Sequence, residues 1–163
     1  MHIRRADREH MELGEMDFLC CQLIQQIVQS ATDTDDPAAQ RRLFASPTEG
    51  REPDFEQDWK NYVEPDLRLL FRSTQEIVEG DLKRFDPDES GDSSTLRIPV
   101  KNLEAWIHTL NQARLAIAAR YDFTDKEMEK QLSLGSGARS LALFQVHFYG
   151  FLQECFLQQL DAP

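Results

Sequence analysis

Residues 141–160 read LALFQVHFYGFLQECFLQQL, and the reading of this stretch decides the class of fold. Leu141, Phe144, Phe148, Phe151, Leu152, Cys155 and Phe156 recur at steps of three and four, the spacing of one face of an α-helix. A second, narrower line runs along the other side through Leu143, Val146, Gly150 and Leu157. A glycine in mid-helix costs roughly 1 kcal/mol relative to alanine, so Gly150 implies a packing reason. A helix that is apolar on two sides is covered on two sides. The stretch therefore predicts either the central helix of a bundle or a helix shared with a partner. In the second case Leu143, Val146, Gly150 and Leu157 form the interface, and the narrow stripe lets another helix approach closely.

Working outward, the same periodicity marks the rest of the chain. Met16, Cys20, Leu23, Ile24, Ile27, Val28 and Ala31 share one helical face, with glutamines opposite. Asp36 before Pro37 has the form of an N-cap with proline in the first turn, opening a short helix through Leu43 and Phe44. Asp54 can cap a further helix carrying Phe55, Trp59 and Val63 on one face. Pro65 restarts or kinks it, because proline removes a backbone donor. Leu67, Leu70, Phe71, Thr74, Ile77, Val78, Leu82 and Phe85 then continue a long apolar stripe. Leu103, Trp106, Ile107, Leu110, Ile117 and Tyr121 predict a helix over 101–121. Thr124 followed by Glu127 is a capping box for a short helix ending near Leu134. Leu96 to Val100 alternates like a strand and would pair with Ile3–Arg5 in a short two-stranded ribbon, at an edge because of Pro99.

Composition bounds the rest. A chain of 163 residues suits one domain and buries enough surface to need no staple. The single helical domain covers 1–163, with a flexible acidic linker at 86–95. The net charge of −11 disfavours nucleic acid and anionic membranes, since neutralising phosphates needs clustered Lys and Arg. No apolar run reaches the ~20 residues of a membrane span, and the charged first residues are unlike a signal peptide. Cys20, Cys21 and Cys155 sit within apolar helical patterns without metal-ligand spacing, which predicts reduced, buried thiols and a cytoplasmic location.

Few residues carry candidate chemistry. Arg114 falls on the apolar stripe of its helix, where an unpaired charge is costly. Glu154 is the expected partner, with Asn111 and Gln153 adding hydrogen bonds. The four form either a structural ion pair or a ligand pocket. Asp86, Asp88, Ser90 and Gly91 begin like a calcium loop, but Arg97 stands where a bidentate glutamate is required. Glu104 and His108 have metal-ligand spacing without a third ligand nearby. No nucleophile elbow or phosphate loop exists. The residues thus predict no metal, no cofactor and no catalytic group.

The stretch 103–121 resembles an uncharacterised bacterial family, best known in actinobacteria and catalogued as domain of unknown function twenty-seventeen. Ala105-Trp106-Ile107, Leu110-Asn111, Arg114-Leu115 and Arg120 match its pattern, while Ala118-Ala119 stand where Gly-Thr is expected. Tyr149 to Glu154 and Pro65 to Arg68 resemble further family segments, the former with a shortened gap. The resemblance implies an all-helical fold and no established activity. Members often lie beside the gene for the ClpS adaptor, which implies a setting near regulated proteolysis. The expectation is thus an all-α, single-domain bundle of five or six helices. Its function is interaction or regulation without catalysis, through a protein partner or homodimer. The alternative is a small-molecule binding protein or enzyme centred on Arg114.

Overall fold

The computed structural model describes residues 1–32, 36–85, 94–129 and 136–160. The calcium-like run and most of the expected linker lie outside these residues, as does the expected end of the short helix near Leu134. Ser94 and Thr95, counted with that linker, belong to a strand.

Two strands open the chain, β1 (His2–Arg5) and β2 (His10–Met16). Helices α1 (Phe18–Gln25) and α2 (Ile27–Thr32) follow, then α3 (Pro37–Leu43) and α4 (Pro53–Asp58). A π turn at Trp59–Val63 carries α4 into α5 (Glu64–Leu82). Strand β3 (Ser94–Pro99) precedes α6 (Leu103–Arg120), α7 (Asp125–Met128) and α8 (Ala138–Leu160). Because α1 abuts α2 and α4 continues into α5, the eight segments among the described residues make six helical units. The expected bundle of five or six helices is therefore present, in a domain that is mostly α-helical with one small sheet.

The ribbon differs from expectation. It has three strands, and Ile3–Arg5 and Leu96–Pro99 both pair antiparallel with β2, which lies between them. Glu12 is the reason β2 was unreadable. It interrupts the apolar run, yet it is buried under Arg4 and Arg97, its neighbours in register across both strands. Arg4 holds its carboxyl below the usual range. The other face of the strand carries Met11 and Leu13 into the core. Met16, expected to begin a helix, ends this strand. Asp17 caps α1 by accepting from the Cys20 backbone N–H at 2.8 Å.

Pro65 lies in the first turn of α5, which restarts at Glu64 as expected. Its ring crowds the carbonyl one turn back, and the backbone answers by widening into the π turn. Asp36 caps α3 as expected, and the Thr124–Glu127 capping box is complete. Asp54 does not cap α4; Glu52 occupies that position without a side-chain bond.

The central helix is α6, not α8. It packs against α2, α3, α5 and α8. Its small residues explain this: Ala105, Ala113 and Ala116 are buried alongside Leu103, Trp106, Leu110 and Ile117, so neighbouring helices can close on several sides. Trp106 meets Phe156 of α8 edge-to-face, with ring centroids 6.1 Å apart. On α8 the buried residues are Ala142, Val146, Phe148, Tyr149, Leu152, Gln153 and Phe156. Leu141 and Phe151, read as part of the wide face, are exposed, and Val146 of the narrow stripe is in the core. The Tyr149 hydroxyl donates to the Leu23 carbonyl at 2.7 Å, fixing α8 to α1. Burial pushes that phenol up to about 12, so it remains a donor across the neutral range.

Candidate functional site

Where α6 crosses α8, the Arg114 guanidinium lies flat against Gly150. A β-carbon at Gly150 would stand 3.2 to 3.3 Å from Cζ, Nε and Nη2 of Arg114. The mid-helix glycine thus has its packing reason inside the chain: it makes room for the arginine. Arg114 Nη1 donates to Gln153 Oε1 at 2.6 Å, and Gln153 Nε2 donates to the Ile107 carbonyl at 3.0 Å. Arg114 and Gln153 are therefore brought together as expected.

Glu154 is not part of this arrangement. It lies about 100° around α8 from Gln153, on the exposed side, and forms no ion pair with Arg114. Burial alone holds the Arg114 pKa below its ordinary value, with no carboxylate offsetting it. Its Nε is buried without a hydrogen-bond partner. Among the described residues Arg114 is a half-buried cation without a counter-charge.

Arg114 lines a cleft of about 460 Å³ between α3, the second half of α6 and residues 122–128. Asn111 lines the same cleft, and so does Arg42 at the end of α3. Arg42 escaped the sequence reading. Its only signal was the Arg41-Arg42 pair in the last turn of a short helix, a position also favoured simply by the helix dipole. The apolar wall includes Leu115, Phe123 and Met128. Phe123 is fixed by the end of α6. Its N–H reaches the Ala118 carbonyl at 3.0 Å, and the Asp122 N–H reaches Ala119 at 3.2 Å. Asp122 takes the left-handed φ of 48° that closes this Schellman turn. Arg139 of α8 braces the segment from outside through Glu127 at 2.7 Å, with its guanidinium over the Phe123 ring.

The proposed interface residues are scattered by the same geometry. Val146 is fully buried, Gly150 is covered by Arg114, Leu143 is half-buried and Leu157 is exposed. A different surface is more open. Along the α4–α5 rod, Tyr62, Val63, Leu69, Leu70 and Ile77 are all exposed. Leu70 and Ile77 were expected in the core stripe, but that stripe is split: Leu67, Phe71 and Val78 turn inward.

A second polar cluster is structural. Asp81, only 1% exposed, accepts from Trp106 Nε1 at 2.9 Å, from Asn102 Nδ2 at 3.0 Å and from Arg84. Gln75 Nε2 donates to Gln112 Oε1 at 2.7 Å between α5 and α6. Glu104 and His108 stand 3.8 Å apart on the surface, and no group of three metal-ligating side chains occurs among the described residues. Cys20, Cys21 and Cys155 are free thiols, and burial pushes Cys20 up to about 11, away from reactive thiolate. No described helix is long and apolar enough to cross a membrane.

The fold and its clefts define a small, mostly helical domain in which one of several open clefts is lined by Arg42 and Arg114. The match to the family model of DUF2017, a domain of unknown function, runs over residues 4–160, and the chain belongs to that family. No curated protein and no solved structure matches it.

Proposed function

We propose that this chain is a non-catalytic, cytoplasmic interaction protein that pairs with a second copy through the outward side of α4–α5. The observation that carries the reading is the apolar stripe on that side. Val63, Leu70 and Ile77 are spaced by seven, as are Tyr62 and Leu69, which is the repeat of a helix that meets another helix. Exposed apolar residues aligned in this way mark an interaction surface rather than scattered surface leucines. Regulated proteolysis is the proposed setting, from the gene neighbourhood that the family resemblance implies.

Sedimentation velocity over a range of concentrations tests the pairing. Leu70 is 56% exposed, so Leu70→Glu should leave the fold intact and abolish association. A wild-type chain that stays monomeric at the highest concentrations reached removes this reading. A pull-down from the native host scored for Clp components tests the setting. A second reading, a small-molecule site at Asn111 and Arg114, is favoured by one observation: the cleft beside Arg114 is open.

A further inference from the structure

We propose that the cleft between α3, α6 and α7 binds a single carboxylate attached to an apolar body, with Arg114 as its anchor. This rests on the second reading and assigns the chemical class of its ligand. Three observations converge. First, Arg114 is half-buried and forms no ion pair with a carboxylate among the described residues; Asp122 and Asp125 line the same cleft without pairing with it. A cation in that position is costly unless an anion joins it, and the fold supplies only the neutral Gln153. Second, Arg42 lines the same cleft, free of any ion pair among the described residues, and Asn111 adds an amide donor. A guanidinium presents a planar fork that matches a carboxylate in two parallel hydrogen bonds. Third, Leu115, Phe123 and Met128 give the cleft an apolar side.

The wall also limits what enters. Asp122 and Asp125 line the cleft together with the apolar residues. They repel a second negative charge, so dicarboxylates and phosphate esters are disfavoured against monocarboxylates. They would accept an ammonium, so an apolar amino acid is within the class. A cleft of about 460 Å³ falls within the range of small-ligand sites, roughly 300–1,000 Å³. The same chemistry is offered by a free acid and by the C-terminus of a peptide ending in an apolar residue.

The full chain, labelled with nitrogen-15, is titrated with 3-phenylpropionate and with its neutral amide while the backbone amides of Ala118, Ala119 and Phe123 are followed by NMR. The acid should shift these three saturably, and the amide should bind at least tenfold more weakly. Arg114→Met should weaken the acid at least tenfold and Arg42→Met severalfold. Arg42→Met alters an exposed side chain and guards against loss of the fold in the first variant. A tripeptide ending in leucine, with a free or an amidated terminus, forms the second arm and shows which source binds more tightly. Equal binding of acid and amide overturns the assigned class. Unmoved cleft amides with both the acid and the free-terminus peptide overturn the site as well. Wild-type affinity in Arg114→Met removes the anchor.

Discussion

Replacing Asp81 by alanine should cost the fold about 3 kcal/mol, and the sum follows from three bonds of unequal worth. The Trp106 indole is fully buried, so its N–H, 2.9 Å from the carboxylate, has no access to water once the acceptor is gone. Stranding a buried donor costs about 1–3 kcal/mol. Asn102 is half-buried and can turn its amide toward water, so its loss is about 0.5–1 kcal/mol. Arg84 is mostly exposed, and an ion pair of that kind contributes about 0–1 kcal/mol. Domains are stable by only about 5–15 kcal/mol, so the change removes a large share of the total. Asp81→Asn keeps one acceptor oxygen for the indole and should cost about 1 kcal/mol. Urea unfolding checks both: the midpoint should fall in that order with an unchanged slope. A loss below about 1 kcal/mol for Asp81→Ala, or equal losses for the two variants, would refute the view that the Asp81–Trp106 bond ties α5 to α6.

Other perturbations separate structure from site. Tyr149→Phe removes the donor to the Leu23 carbonyl and should cost about 1–2 kcal/mol, read as a drop in Tm of several degrees. An unchanged Tm would mean water replaces the bond. Glu127 is held down to about 2 by the Thr124 N–H first and by Arg139 next. A carboxyl lowered on folding from an ordinary 4.5 stabilises fully above that value, and the contribution is lost as pH falls from about 4.5 toward 2. Wild type should thus lose stability more steeply than Glu127→Gln over this window, and parallel curves would contradict the clamp. Arg114→Met should change stability by less than about 1 kcal/mol. The lost hydrogen bond to Gln153 is offset by relief of a half-buried charge. A loss above about 2 kcal/mol in urea unfolding would place Arg114 among structural residues instead.

Helical periodicity exposed the helices but not their ranking. Apolar mass drew attention to residues 141–160, whereas the central position belongs to α6, a third of whose buried residues are alanine. Alanine adds little to an apolar stripe and much to close packing, so the helix with the smaller side chains ends up enclosed on more sides. Strand β2 was hidden for a related reason. Its buried glutamate looks solvent-facing until the arginines of both neighbouring strands are placed on it. Such cross-strand pairs depend on register, which a single strand does not contain.

Arg114 and Gly150 show how the candidate site was half legible. A charge on an apolar stripe and a glycine in a helix were each visible as anomalies, and each suggested its own explanation. The arginine called for a carboxylate and the glycine for a closely packed helix, of this chain or of a second subunit. In three dimensions each explains the other: the missing side chain of Gly150 is the space the guanidinium fills. What remains unexplained by packing is the charge itself. A methionine or leucine would fill the same space against α8 without a desolvation cost, and Gln153 would still bond the Ile107 carbonyl. Retaining a cation there makes sense only if something negative meets it, and the open side of Arg114 faces the cleft shared with Arg42 and Asn111.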